Sequence, residues 1–256
     1  MQNIIFDSHA HYDDEAFEED RHQVIQSLQQ KGVCNVINVG ANLERSKDSI
    51  ALAAQYPFIY AAAGIHPGDV KDAPADDYQE QLEQLIKQPK VVAVGEIGLD
   101  YHWDDVKPQD QKTGFIRQIR LAQKYNKPIL IHMREATKDT LDILKDMGPL
   151  KGIMHCYSGS KEVAMELIKI GFYISFGGPL TFKNSRGAPA TVEALPLNRL
   201  FVETDSPYLT PHPFRGKQNE PMYVRYTFDK LCEIKAVEKD LAAEQLRKNY
   251  EELFLK

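Results

Sequence analysis

The chain has 256 residues, of which 43% are hydrophobic and 27% are charged, and its formal net charge is -6. This composition is typical of a globular protein with a sizeable core and excludes a largely disordered chain. The negative charge argues against a protein that coats nucleic acid with a broad basic face, although it leaves room for an enzyme that holds a few phosphates through metal ions.

Short runs rich in β-forming residues alternate along the chain with longer segments of helical patterning. The predicted strands are Asn3–Phe6, Cys34–Val39, Ile59–Ala62, Val91–Gly95, Ile129–Ile131, Gly152–Met154, Phe172–Phe176 and Leu200–Val202. The predicted helices are Glu15–Lys31, Leu43–Gln55, Tyr78–Lys87, Asp110–Tyr125, Thr137–Met147, Lys161–Ile170, Thr191–Leu195, Met222–Glu233 and Lys239–Leu255.

Eight such repeats predict an α/β protein with a (β/α)8 TIM barrel, extra helices at the C-terminus, and a single domain over residues 1–256. An open, doubly wound sheet is the alternative, but no G-x-G-x-x-G follows the first strand. No apolar run reaches the ~18 residues of a membrane span. Asp7 and His9 interrupt the N-terminal apolar run too early for a signal peptide, so we expect a cytoplasmic protein with no membrane partner.

The three cysteines do not indicate a disulfide framework or a structural zinc site. Cys34, Cys156 and Cys232 lie far apart in the sequence and form no C-x-x-C motif. We therefore expect each of the three to be a small buried thiol.

The first predicted strand is followed by two histidines, His9 and His11, at positions i and i+2. On an extended chain such side chains point the same way and lie about 7 Å apart, which is twice the rise of ~3.3 Å per residue. The pair can therefore bind one metal ion, although two unrelated histidines are the alternative.

Polar residues also follow most of the other predicted strands. They are His66 after the third strand, Glu96 after the fourth, His132 after the fifth, His155 after the sixth and Asp205 after the eighth. The carboxyl ends of parallel barrel strands share one face, where active sites lie. We therefore expect these side chains to form one site; five structural histidines are the alternative.

Imidazole and carboxylate donors without thiolate favour Zn, Mn, Fe or Mg. Six donors are too many for one ion and suit two. They are the histidines His9, His11, His132 and His155 and the acids Glu96 and Asp205. We assign one ion to His9, His11 and Asp205, because the first and last strands of a closed barrel are neighbours. We assign the other ion to His132 and His155.

Glu96 is predicted to bridge the two ions. Two ions about 3.5–4 Å apart clamp the attacking and leaving oxygens of a displacement and generate hydroxide near neutral pH. Asp205 is the candidate catalytic base, because it can take a proton from the bridging water.

The motifs that carry these residues resemble the TatD family of metal-dependent deoxyribonucleases, within the amidohydrolase-like barrel superfamily. They are Asp7-Ser8-His9-Ala10-His11, Gly64-Ile65-His66-Pro67, Gly95-Glu96-Ile97-Gly98-Leu99-Asp100-Tyr101, Ile131-His132-Met133-Arg134, His155-Cys156-Tyr157-Ser158-Gly159, Glu203-Thr204-Asp205-Ser206-Pro207-Tyr208 and Arg215-Gly216-Lys217-Gln218-Asn219-Glu220-Pro221. The resemblance spans nearly the whole chain. It implies a two-metal barrel that hydrolyses DNA phosphodiesters, and it supports the metal ligands His9, His11, Glu96, His132, His155 and Asp205.

One position separates the branches of this superfamily. Many of its amidohydrolases bridge their metals with a carboxylated lysine at the end of strand 4, where this chain has Glu96. The resemblance therefore points towards the nuclease branch and away from dihydroorotase-like enzymes.

Candidate substrate contacts lie close to the predicted ligands. Arg134, two residues beyond His132, is a candidate for holding a phosphate oxygen, with a salt bridge to Glu135 or Asp100 as the alternative. Arg186 and Arg215 lie in the loops after strands 7 and 8, where barrels often bind phosphate, and ordinary solvated charges are the alternative.

Aromatic side chains at the same strand ends, namely Tyr101, Trp103, Tyr157 and Tyr208, are candidates for stacking on a base, with simple packing as the alternative. We assign His66 to substrate contact or catalysis, outside the metal set. Glu203 is expected to face the interior and to orient a ligand histidine.

The leading hypothesis is thus a deoxyribonuclease with two divalent ions (Mg, Mn or Zn) that removes nucleotides from short or single-stranded DNA ends. A two-metal amidase, esterase or lactonase on a small molecule, or a hydrolase of an acyl ester on RNA, is the main alternative. A metal-storing or scaffold barrel is the non-enzymatic alternative. The sequence leaves the oligomeric state open and is compatible with a monomer.

Overall fold

A computed structural model of the chain describes residues 5–72 and 77–255, and the structural statements below refer to these ranges. The strands within them are β1 (Ile5–Ala10), β2 (Val33–Val39), β3 (Ile59–Ala63), β4 (Val91–Asp100), β5 (Ile129–Arg134), β6 (Gly152–Met154), β7 (Phe172–Phe176) and β8 (Leu200–Val202).

These eight strands form one parallel sheet in sequential order, from β1 to β8. Beyond the end of β8, the backbone N–H of Asp205 donates to the carbonyl of His9 at 2.9 Å, and the N–H of His11 donates to the carbonyl of Ser206 at 2.8 Å. The last strand therefore continues alongside the first. The fold is a (β/α)8 TIM barrel, as predicted.

Helices follow the strands in alternation. Those of the described ranges are α1 (Arg21–Ser27), α2 (Leu43–Gln55), α3 (Asp77–Ile86), α4 (Pro108–Lys124), α5 (Thr137–Asp146), α6 (Lys161–Lys169), α7 (Gly187–Ala194), α8 (Val224–Lys235) and α9 (Lys239–Phe254). Helices α8 and α9 are the extra C-terminal helices that the sequence predicts. No helix in the described part of the chain is both long enough and apolar enough to cross a bilayer.

The residues group into two compact units, which are described separately. Within the described ranges, the first unit comprises residues 5–37, 156–168 and 173–255, and the second comprises residues 38–72, 77–155 and 169–172. The single-domain interpretation of the sequence remains a prediction.

The predicted helix Glu15–Lys31 is broken into three pieces. Only Arg21–Ser27 is α-helical, and it is flanked by 3₁₀ turns at Glu15–Phe17 and Gln29–Lys31. The Asp14 carboxylate accepts the N–H of Ala16 at 2.9 Å, and the Arg21 guanidinium donates to the carbonyl of Tyr12 at 2.6 Å. These side-chain bonds fix the chain in turns where a continuous helix is predicted.

Four strands extend beyond their predicted ends, among them β3 by one residue to Ala63 and β5 to Arg134. β1 continues to Ala10, and Asn3 and Ile4 of the predicted strand lie outside the described residues. β4 continues past Gly95 to Asp100, because its pairing with β5 resumes after a register shift between Val94 and Ile97 and joins Gly98 to His132. Glu96 and His132 are therefore inside strands, whereas the sequence places them just after strands.

In the first unit, the C-terminal helix α9 covers β1 and β8. The ring of Phe6 stacks on that of Tyr250 with centroids 4.6 Å apart, and the rings of Phe201 and Phe254 lie 6.1 Å apart. The odd-numbered residues of β1 face the opposite way, since side chains alternate along a strand. Packing of α9 on one face thus leaves the other face of β1 to carry Asp7 and His9.

In the second unit, two buried glutamines of α4 fix the backbone at the end of β4 and just beyond the end of β3. The Gln118 side chain accepts the N–H of Ile65 at 2.8 Å and donates to its carbonyl at 3.0 Å. The Gln111 side chain pairs in the same way with the backbone of Asp100, at 2.8 and 2.7 Å. Each side-chain amide therefore forms the pair of backbone hydrogen bonds that a neighbouring strand would otherwise form. These bonds lie at or next to a residue with a candidate functional side chain.

Gly98 in β4 has a backbone conformation that requires glycine. Its φ is +146°, and a Cβ atom there would lie 2.0 Å from the carbonyl oxygen of His132. Gly98→Ala is expected to lower the free energy of unfolding by at least about 2 kcal/mol, from strain and overpacking. Urea denaturation followed by circular dichroism measures this loss.

Gly187→Ala is the matched control. Gly187 begins α7, and a Cβ atom there would meet no heavy atom within 4 Å. The control is expected to be neutral or to stabilise by up to about 1 kcal/mol. Equal urea midpoints for the two variants would contradict the close approach of β4 and β5 at Gly98.

Candidate metal centre

The first unit brings together His9, His11 and Asp205. His9 is within β1, His11 follows it, and Asp205 lies three residues past the end of β8; all three side chains are buried. The Nε2 atoms of His9 and His11 are 3.2 Å apart. Asp205 Oδ1 is 3.8 Å from Nε2 of His9 and 3.5 Å from Nε2 of His11.

These three atoms have the spacing of ligands around one ion. At zinc–nitrogen distances of about 2.0–2.1 Å, neighbouring ligand atoms of a tetrahedral site lie roughly 3.3–3.4 Å apart. The three observed separations, 3.2, 3.5 and 3.8 Å, bracket that value. The donor types, two imidazoles and one carboxylate, suit the same ions. The His9, His11 and Asp205 set therefore fits a divalent metal.

The backbone around Asp205 holds this set in place. Asp205 has a φ of +58°, a left-handed conformation that is uncommon for residues other than glycine. The buried Asp7 carboxylate accepts the N–H and the hydroxyl of Thr204 at 2.9 and 2.6 Å, and the N–H of His9 at 3.3 Å. Burial raises the pKa of Asp7 to about 7, against the opposing effect of these hydrogen bonds. Asp7 thus links β1 to the segment that carries Asp205.

The second unit brings together Glu96 of β4, His132 of β5 and His155, the residue after β6. Glu96 Oε1 lies 2.9 Å from His132 Nδ1 and 2.7 Å from His155 Nε2, and the two nitrogens are 3.4 Å apart. The spacing is that of hydrogen bonds centred on the carboxylate. One carboxylate and two imidazole nitrogens that converge in this way form a second set of metal donors.

Asp100 is part of this arrangement, although its role at the metals is not among the sequence-based predictions. Its Oδ2 lies 3.0 Å from His132 Nε2, on the side of the ring opposite to Glu96. Burial lowers the pKa of His132, but the hydrogen bonds to Asp100 and Glu96 outweigh it and the net pKa is raised. A carboxylate behind a ligand histidine fixes the tautomer and orientation of the ring.

The spacing of Asp100 from Glu96 in the sequence is a signal that indicates its place beside the second donor set. Asp100 is four residues after Glu96, and side chains at even spacing along a strand share one face. The signal was missed because the predicted strand stops at Gly95, whereas β4 continues to Asp100.

His66 lies beside the second donor set. Its ring centroid is 4.6 Å from that of His132, and its Nε2 is 4.0 Å from Glu96 Oε1. Its Nδ1 accepts the N–H of Gly68 at 3.1 Å, so the ring proton is on Nε2, which is a donor. Burial lowers the pKa of His66 to about 4. His66 is therefore a neutral imidazole that can donate a hydrogen bond from Nε2.

Glu203 lies in the first unit and is fully buried. Its Oε1 accepts the backbone N–H of Cys156 at 2.5 Å, and its Oε2 lies 3.5 Å from the hydroxyl of Ser8. Glu203 thus holds the backbone residue that directly follows His155 in the chain. Its predicted role of orienting a ligand histidine remains a prediction.

The predicted substrate contacts differ in their surroundings. The Arg134 guanidinium lies over the ring of Trp103, 5.7 Å from its centroid, while Glu135 pairs with His102 at 2.7 Å. The Tyr101 hydroxyl donates to Asp139 at 2.8 Å. The hydroxyl group of Tyr101 thus already has a hydrogen-bond partner within the protein.

The two arginines of the later loops are both exposed. Arg186 immediately precedes α7, and Arg215 lies over the ring of Phe182 at 4.4 Å. Of the remaining aromatics, Tyr157 is buried with its hydroxyl donating to the Ser160 carbonyl, whereas Tyr208 is 52% exposed. Burial of Tyr157 favours the packing alternative for that residue.

Comparison with known proteins agrees with a metal-dependent hydrolase. A family model described as "TatD related DNase" matches residues 6–255. The chain is 44% identical over 253 residues to the "Uncharacterized metal-dependent hydrolase YabD" of Bacillus subtilis, covering 98% of this chain and 99% of that relative. It is 34% identical over 256 residues to the "Uncharacterized metal-dependent hydrolase YcfH" of Escherichia coli K12, covering 98% and 96%.

Solved structures of TatD-family proteins have the same fold as this chain. The crystal structure of YjjV, a TatD homologue from Escherichia coli K12, superposes with a TM-score of 0.94 at 32% identity, covering all of both chains. A TatD family hydrolase from Entamoeba histolytica has a TM-score of 0.88 at 23% identity, covering 99% of each chain, and shares the fold. With a family model that matches almost its whole length, the chain belongs to the TatD-related DNase family and is a metal-dependent hydrolase.

Proposed function

We propose that this hydrolase is a deoxyribonuclease that removes nucleotides from short or single-stranded DNA ends with the help of two divalent ions. One observation carries the proposal: two sets of nitrogen and oxygen donors, His9–His11–Asp205 and Glu96–His132–His155, each converge within the distances of metal ligands. The description of the family as a DNase supports DNA as the substrate. A cytoplasmic location and a bridging role for Glu96 belong to the same proposal.

Divalent ions such as Mg, Mn or Zn, when bound, polarise a phosphoryl oxygen and make water acidic enough to attack near neutral pH. The side chains have distinct tasks around that chemistry. The Asp205 carboxylate accepts the proton of the attacking water. His66 donates from Nε2 to a phosphate oxygen, and Arg134 neutralises a second phosphate oxygen with its guanidinium.

Chelator-sensitive release of nucleotides tests the activity. Purified protein with Mg²⁺ or Mn²⁺ is expected to shorten single-stranded DNA labelled at one end, and EDTA is expected to abolish the reaction. Asp205→Asn should lower kcat by about 100-fold or more, because it removes the proton acceptor. A time course resolved on a sequencing gel measures both effects.

The control is Asp142→Asn, which changes an exposed carboxylate paired with Lys138 on α5 and should leave kcat unchanged. Both variants are purified identically, so loss of activity in Asp205→Asn alone excludes a contaminating nuclease. Absence of chelator-sensitive release from DNA, together with turnover of an ester or lactone panel, would refute the nuclease proposal and favour the small-molecule alternative.

Asp100→Asn tests how the second donor set is held. Asp100 accepts from His132 through one oxygen and from the N–H of His102 through the other, whereas asparagine offers one acceptor for the two. The weaker of two metal-binding steps is therefore expected to lose about 10- to 100-fold in affinity. Titration with Mn²⁺ or Zn²⁺ against a competing chelator measures it.

Asp142→Asn again serves as the control and should bind both ions with unchanged affinity. Thermal unfolding of the metal-free variants shows whether Asp100→Asn has kept its fold. A folded Asp100→Asn variant with unaltered metal affinity would contradict the positioning role of Asp100.

A further inference from the structure

Trp103 is the only tryptophan of the chain, and 60% of its surface is exposed. It lies three residues after the end of β4, the strand that carries Glu96 and Asp100. Tryptophan is usually well buried, because its ring contributes a large apolar area. An exposed indole beside a set of metal donors indicates a surface that a ligand covers.

The exposed ring is held by its neighbours. The ring of His102 meets it edge to face, with centroids 4.7 Å apart and planes at 84°. His102 is itself fixed by Glu135 at 2.7 Å. The Arg134 guanidinium lies over the indole, 5.7 Å from its centroid. These contacts keep the indole in one place before a ligand binds, which reduces the entropy cost of binding.

The ring is also tied to the second donor set. The Asp100 carboxylate that meets His132 Nε2 at 3.0 Å accepts the backbone N–H of His102 at 2.9 Å through its other oxygen. Arg134 is two residues from His132 on β5, so their side chains leave the strand on the same side. The Asp100 carboxylate thus sets the position of the indole relative to His132, a candidate metal ligand. Strand β5 sets the position of Arg134 relative to the same histidine.

The side chains of Trp103 and Arg134 indicate which class of ligand this surface binds. An indole face stacks on a nucleobase of any sequence, and a guanidinium pairs with phosphate. A base inside a duplex is already stacked on both sides, so it is available to Trp103 only when it is unpaired. Asp104 and Asp105, which are exposed next to Trp103, disfavour a long phosphate backbone running over the same surface.

We infer that Trp103 and Arg134 form a stacking platform for one unpaired base, next to the phosphate that the Glu96–His132–His155 set positions. This inference rests on the proposed function for the identity of that phosphate. It makes Trp103 a residue that favours single-stranded ends, since it holds the base while Arg134 faces the adjoining phosphate.

Tryptophan fluorescence tests the platform directly, because every photon emitted by tryptophan comes from Trp103. The Asp205→Asn variant in Mg²⁺ is titrated with an oligothymidylate of eight nucleotides. This variant should cleave the oligonucleotide only slowly. Saturable quenching is expected, since a stacked base quenches indole emission. An eight-residue oligomer of abasic sites is expected to give no quenching and to bind about 10-fold more weakly.

Kinetics with the active protein give the second readout. Trp103→Ala is expected to raise KM for single-stranded DNA about 10-fold with little change in kcat, and Trp103→Phe to keep most of the affinity. Leu241→Ala, which truncates a comparably exposed apolar side chain on α9, should change neither constant. With an abasic end, Trp103→Ala should lose no further affinity.

The outcomes separate this inference from the proposed function. Equal affinity for the oligothymidylate and the abasic oligomer, with unchanged Trp103 emission, would overturn the platform even if DNA were cleaved. Base-dependent quenching with no DNA cleavage would support the platform while refuting the nuclease activity.

Discussion

The candidate metal centre of the first unit depends on how the chain beyond β8 pairs with the end of β1. Two backbone hydrogen bonds, from Asp205 to His9 and from His11 to Ser206, join residues nearly 200 positions apart, and the buried Asp7 carboxylate reinforces them through Thr204. Asp205 adopts a left-handed backbone conformation in this segment. The pairing therefore sets the distance between the Asp205 carboxylate and the two imidazoles before any ion binds.

The second donor set is organised around carboxylates. Glu96 meets both imidazoles, and Asp100 orients His132 from the other side while holding the backbone of His102. The backbone of Asp100 is in turn clamped by the amide of Gln111 on α4. Helix α4 packs on β4 and thus fixes a carboxylate that bonds both to His132, a candidate metal ligand, and to the segment bearing Trp103.

The sequence predicts the barrel, and it singles out the candidate donor residues that lie close together within each unit, because both leave regular signals. Strand and helix periodicities repeat eight times, and the polar residues recur at the strand ends. The boundaries of β4 were wrong because Glu96 interrupts the apolar run, whereas the strand is continued by backbone pairing with β5 through Gly98. That error concealed Asp100.

Other details depend on contacts between distant residues and leave no local pattern. Gln111 and Gln118 look like ordinary polar helix residues in the sequence, but each is buried and pairs with the backbone of a distant residue, Asp100 or Ile65. The break in the predicted helix Glu15–Lys31 depends on Arg21 reaching back to the carbonyl of Tyr12. Only the folded chain shows these partners.

The central claim is that each donor set holds its own divalent ion. The number of Mn²⁺ ions bound per chain, measured by equilibrium dialysis with elemental analysis for the unmodified protein and for His9→Ala, tests it most directly. Two ions are predicted for the unmodified protein and one for His9→Ala, with the ion at the Glu96–His132–His155 set retained. A single ion in the unmodified protein, or two tightly bound ions in folded His9→Ala, would contradict the account.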